Sequence, residues 1–168
     1  MNKEEIRRFL SERQIAYEWV EHEAVFTMEE MERLCIEQKG EDAKNLFLRD
    51  AKGKRHFLLT VQKDKQVDLK QLRMQMGTTA LSFASEERLQ TYMKLTKGSV
   101  TPFGILNDEQ RMVEVWMDTD FQGKVMGVHP NENTATVWIE CADMCRLIEE
   151  HGNVLQFIHV PVQVDEKS

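Results

Sequence analysis

The alternation of apolar and polar positions divides the chain into short helices and strands. Ile6, Phe9 and Leu10 recur at helical spacing, with the stem of Arg13 on the same face, which predicts an amphipathic helix over 3–13. Tyr17, Trp19 and Val20 suggest a short strand. Thr27-Met28-Glu29-Glu30 has the form of a capping box; it opens a helix with Met28, Met31, Leu34 and Cys35 on its apolar face, ended by Gly40. Apolar runs at 46–48 and 57–61 flank Asp50-Ala51-Lys52-Gly53 and predict a β-hairpin. Asp68 is placed to cap a helix carrying Leu69, Leu72 and Met76, with Gly77 as its stop. A brief strand at 81–83 leads to Ser85, which caps a short helix reaching Tyr92.

The segment "TKGSVTPFGILND" reads as a loop, with Gly98, Pro102 and Gly104 inside seven residues. Strands are expected at 111–117, 124–129 and 134–139, then a helix over about 142–150 stopped by Gly152, and a closing strand at 154–160. Helices and strands mix without a regular β-α-β alternation. One mixed sheet with helices packed around it follows, as a single domain over 1–168.

Composition narrows the functional classes. No run approaches the 18 or so apolar residues of a membrane span, and the N-terminus carries acidic residues in place of an apolar leader. Three cysteines, Cys35, Cys141 and Cys145, are too few and too odd in number for a disulfide framework, which fits a reducing cytoplasm. The formal net charge of -7 argues against a large nucleic-acid footprint and leaves room for a small one, since a local lysine cluster attracts phosphate on an acidic protein.

Candidate chemistry sits at three places. Lys44 precedes the apolar run at 46–48, where a lysine faces either solvent or a pocket as a point charge for phosphate or ribose. Gly98-Ser99-Val100-Thr101-Pro102-Phe103-Gly104 is either a structural turn or a loop whose backbone N–H groups converge on an anion; it is neither a Walker loop nor Gly-x-Gly-x-x-Gly. His129, in Gly127-Val128-His129-Pro130, lies where two apolar strands meet across Asn131-Glu132-Asn133, either packed in a hairpin or facing a site. No Cys-x-x-Cys pair supports a metal site, and no Gly-x-Ser-x-Gly elbow anchors a serine hydrolase.

In order along the chain, "KNLFLRDAKGKRHFLLT", "GSVTPFGILND" and "GVHPNENTATVWI" resemble the YbaK/ProX (PrdX) group of aminoacyl-tRNA deacylases, relatives of the editing domain inserted in bacterial prolyl-tRNA synthetase. Thr27-x-Glu-Glu and "HGNVLQFI" extend the resemblance over nearly the whole chain. It implies a mixed α/β (α+β) fold, a central, partly barrel-like sheet surrounded by helices. It also implies Lys44, Gly98, Ser99, Val100, Thr101 and Pro102 as the catalytic set, and Asn45, Phe103, Gly127, His129, Pro130 and Asn133 around the substrate. Asn131 replaces a leucine frequent in relatives, and Ala135-Thr136-Val137 stands where two threonines are common.

The implied reaction is hydrolysis of mischarged tRNA(Pro), most of all Ala-tRNA(Pro), by water and without metal or cofactor. The implied partners are the tRNA(Pro) acceptor end and prolyl-tRNA synthetase, with no membrane and no DNA. Rival readings are cysteine or serine/threonine specificity on the same fold, or a non-catalytic tRNA- or synthetase-binding module. Lys63, Lys65, Lys70, Arg73, Lys94 and Lys97 are the expected phosphate contacts.

Overall fold

Local signals set most of the helix ends. Asn2 caps helix α1 (Lys3–Glu12) and exchanges hydrogen bonds with Glu5 in a capping box. Asp68 accepts from Gln71 N at the start of α2 (Leu69–Met76), and Gly77 closes that helix in the left-handed conformation at φ 68°. Ser85 accepts from Arg88 N to open α3 (Glu86–Met93). Helix α4 (Cys141–His151) ends at Gly152. This computed structural model describes residues 1–24 and 39–164; the helix expected from Thr27 lies outside the described residues.

The strands among the described residues are β1 (Tyr17–Glu21), β2 (Glu41–Arg49), β3 (His56–Gln62), β4 (Ser82–Phe83), β5 (Val113–Asp118), β6 (Val125–Val128), β7 (Ala135–Glu140) and β8 (Leu155–Ile158). They form one mixed eight-stranded sheet in the order β1-β7-β6-β2-β3-β5-β8, with β4 pairing on β2. The expected hairpin is the antiparallel β2–β3 pair, in register from Ala43 opposite Gln62 to Arg49 opposite His56. The strand begins earlier than its apolar run because Glu41 and Asp42 pair in parallel with Met126 and Gly127 of β6. The second hairpin is β6–β7, joined through residues 129–134.

Apolar side chains fill both faces of the sheet. Phe47 and Leu58 join Met126, Val128, Val137 and Ile139 in one core, capped by Ile6 and Leu10 of α1 and Ile148 of α4. Leu48, Phe57, Leu59 and Val61 project the other way, against Leu72 of α2 and Trp116. β3 is apolar on both faces because it lies inside the sheet, between β2 and β5. The segment expected as a loop around Pro102 contains a 3-10 helix, Pro102–Asn107, whose Phe103 and Ile105 are buried in the first core.

Gly127 has a packing role. A Cβ built there would meet the Trp138 ring at 2.6 Å. Replacing Gly127 by alanine should therefore lower stability by about 1–3 kcal/mol through overpacking. Urea denaturation of wild type and variant measures this; equal midpoints would mean that the indole yields without cost.

Candidate active site

β2 holds two partners at once. Residues 41–42 follow β6, while 43–49 follow β3. Past the Asp42–Gly127 pair, β2 and β6 are no longer joined, and the next residues of like parity are Lys44 and His129. Alternation turns both toward the face opposite Ala43 and Val128, which belong with the first core. The same alternation in β7 turns Thr136 and Trp138 away from Val137 and Ile139, onto this reverse face.

His129 is fixed by its own hairpin. Its Nδ1 lies 3.0 Å from the Ala135 carbonyl, so Nδ1–H donates and Nε2 keeps its lone pair. Burial lowers the affinity of this imidazole for a proton, the Ala135 carbonyl opposes that, and His22 lowers it further. The His22 ring stands edge-on to His129, with centroids 6.2 Å apart, and its Nε2 lies 2.9 Å from Thr136 Oγ1. Asp42, only 3% exposed, lies 3.7 Å from the Lys63 ammonium.

The glycine/proline loop reaches the same place. Thr101, fully buried, donates its hydroxyl to the His129 carbonyl at 2.5 Å and accepts from Phe103 N at 3.4 Å. Gly98 takes φ 93°, in the region glycine favours. Ser99 N–H is used by Thr96, and Gly104 N–H by Thr101. The N–H groups of Val100 and Thr101 have no acceptor among the described residues. Pro102 has no N–H and fixes the first turn of the 3-10 helix. Two adjacent uncommitted donors beside a strand-end histidine can receive an anion or a developing oxyanion.

Lys44 donates to the Lys65 carbonyl, and burial lowers its proton affinity against the opposing pull of Asp64. It stands in a cleft of about 610 Å³ lined with Leu46, Val67, Leu69, Lys70 and Phe83. The remaining expected residues fall into separate settings. Asn45 turns to the other face of β2 and accepts from the Thr60 hydroxyl at 2.7 Å. Phe103 is buried in the core beneath the loop, and Pro130 is buried beside His129. Asn133 is half-buried in the 129–134 connection. Within that connection Asn131 takes φ 65° and donates to the Met1 carbonyl, while Glu132 accepts from Lys3 N, so this part of the hairpin braces α1.

The expected phosphate cluster needs correction at Lys65. Its ammonium lies 2.8 Å from both Asp118 and Asp120, which neutralise it. Lys70 and Arg73 remain exposed. Among the described residues no group of three or more His, Cys, Asp or Glu is placed to hold a metal ion. No described helix is long and apolar enough to cross a membrane.

The sequence reading missed His22, Thr136 and Trp138. Extending the β1 alternation through Glu18 and Val20 would have put His22 on the reverse face, since Val20 pairs with Thr136. Trp138 is buried, and its indole N–H has no hydrogen-bond partner among the described residues.

Residues 22–147 match the model of the aminoacyl-tRNA editing domain, a span that starts at His22 and contains Lys44, the loop and His129. The chain belongs to this family. It is 49% identical over 152 residues to the prolyl-tRNA editing protein ProX of Acetoanaerobium sticklandii, covering 90% of this chain and 93% of that one. It is 34% identical over 151 residues to the prolyl-tRNA synthetase associated domain-containing protein 1 of Danio rerio, covering 88% and 82%. A solved structure described as a candidate trans-editing enzyme for prolyl tRNA synthetase shares the fold, with a TM-score of 0.72 at 18% identity over 96% of this chain and 97% of that one.

The state of His129 has a measurable consequence. A histidine whose proton affinity is lowered on folding binds fewer protons in the native than in the unfolded chain. Stability is therefore full above the ordinary value of about 6.5 and declines as pH falls from there toward the folded value. His56, also lowered chiefly by burial, acts in the same direction. Urea denaturation between pH 7.5 and 5.5 should show this decline, and His129→Gln should reduce it. A variant with an undiminished decline would assign the whole effect elsewhere.

Proposed function

We propose that this chain is a trans-editing deacylase that hydrolyses the ester of a mischarged tRNA(Pro), with alanine as the amino acid removed. The observation that carries this reading is the Thr101–His129 bond, which holds two uncommitted loop N–H groups beside a fixed histidine in a chain of the editing family. The editing relative ProX, matched over nine-tenths of this chain, supports the substrate class.

In this reading water attacks the ester carbonyl, and Val100 and Thr101 N–H receive the developing oxyanion. A donor of this kind is worth about 3–4 kcal/mol in the transition state. Lys44 holds the terminal phosphate or ribose. The acyl side chain lies toward His129, Gly127 and Trp138. The Trp138 indole seated over Gly127 is the wall this reading gives the acyl group, and a wall so close favours alanine over the proline ring. Rejection by size is the efficient route here, since a missing methylene changes binding by only about 1–3 kcal/mol. The cytoplasm, where charged tRNA is used, is the corresponding compartment, and prolyl-tRNA synthetase the corresponding partner.

Deacylation rates on alanyl-, cysteinyl-, seryl- and prolyl-tRNA(Pro) test the assignment. Alanyl-tRNA(Pro) should turn over fastest and prolyl-tRNA(Pro) should be spared. Fastest turnover of the cysteinyl or seryl ester would move the specificity, and no turnover of any ester would leave a binding module. Lys44→Ala should lower kcat/KM about 100-fold by loss of positioning, with the fold intact. His129→Ala should raise the rate on prolyl- relative to alanyl-tRNA. An equal loss on every ester would give His129 a role in the chemistry itself.

A further inference from the structure

The sheet face that carries Lys44 continues outward along β2 to an exposed aromatic ring. Leu46 and Leu48 follow Lys44 at the same parity, and Leu48 pairs with Phe83 of β4. Leu48 lies four residue steps along the strand from Lys44, about 13 Å. Phe83 is 62% exposed, although its two-residue strand sits on the sheet and lines the cleft of about 610 Å³. Nothing in the chain covers this ring among the described residues. The cleft floor is Leu46, Val67 and Leu69, and Lys70 stands exposed at its rim. Among the described residues that line it the one carboxylate is Asp68, which accepts from Gln71 N as the cap of α2.

An apolar floor, an exposed aromatic ring at one end and ammonium groups at the rim and the far end match the chemistry of single-stranded nucleic acid. Bases stack on aromatic faces while lysines accompany the phosphates. We propose that this cleft seats the unpaired 3′ nucleotides of an RNA, with a base stacked on Phe83, a phosphate at Lys70 and the terminal ribose at Lys44. This rests on the deacylase reading for the orientation, with the 3′ end toward His129. It explains how a protein of net charge -7 holds RNA. Contact is confined to a strand end and uses stacking as well as charge. Phe83 is then a positioning residue, remote from the reacting atoms.

Fluorescence anisotropy with an uncharged, labelled RNA hairpin bearing a four-nucleotide 3′ tail tests this, with the same hairpin lacking the tail as control. The tailed RNA should bind more tightly than the control. Phe83→Ala should weaken it about 5- to 150-fold, the range for loss of one stacked base, and Phe83→Trp should restore it. Lys70→Ala should reduce the slope of log affinity against log salt by about 0.7. In deacylation, Phe83→Ala should raise KM and leave kcat at saturation unchanged. Equal binding of tailed and blunt RNA, or wild-type binding and KM in Phe83→Ala, would overturn the proposal. Tail binding that depends on Phe83, in a protein that hydrolyses no ester, would uphold the cleft and remove the deacylase reading instead.

Discussion

Two residues of parallel pairing join the halves of this sheet. Glu41 opposite Met126 and Asp42 opposite Gly127 are the described contact through which the β1-β7-β6 half meets the β3-β5-β8 half. The join is short: β3 takes the other edge of β2, and further along the β6 side β4 pairs with Leu48 and Arg49 instead. Where β2 and β6 part, backbone groups at the end of β6 lose their sheet partner inside the protein. A buried carbonyl without a donor costs about 1–3 kcal/mol, so something else must bond it. For His129 that donor is the Thr101 hydroxyl.

The candidate site follows from this repair. Thr101 brings the 98–104 loop against the gap, and Pro102 starts the 3-10 helix that anchors it through Phe103 and Ile105 in the core. The loop's own carbonyl and hydroxyl are spent on Gly104 and Phe103, while Val100 and Thr101 keep their N–H groups. On the reverse face Trp138 packs over Gly127, so glycine at that position is required by the ring and not by the backbone angle. His22 and Thr136 complete the surround of His129. The gap between the two strands is thus bordered by loop N–H groups that have no acceptor among the described residues and by the rings of His22, His129 and Trp138.

Much of this was legible in the sequence because local signals carried it. The caps at Asp68, Ser85 and Gly77 marked helix ends, and the apolar runs around Asp50-Ala51-Lys52-Gly53 marked the hairpin. The three motifs at Lys44, Gly98–Pro102 and His129 also pointed to the correct family. What escaped depends on pairing between distant segments. The first residues of β2 are not apolar, and only β6 makes them a strand. Lys65 looked like a free cation because Asp118 and Asp120 lie more than fifty residues away in the chain. His22 became a site residue only when β1 paired with β7 and brought it to Thr136.

The central claim is that the Thr101 hydroxyl, by satisfying the His129 carbonyl, sets the loop donors for chemistry. Single-turnover deacylation of alanyl-tRNA(Pro) by Thr101→Val and Thr101→Ser tests it most directly, with urea denaturation run alongside. Valine keeps the volume and removes the donor; serine keeps the donor. The account predicts a rate about 10- to 100-fold lower for valine, as expected of misplaced donors, with most of the rate restored by serine. It also predicts a stability loss for valine of about 1–3 kcal/mol, from the carbonyl left bare. A valine variant with wild-type single-turnover rate, or a serine variant as slow as valine, would contradict it.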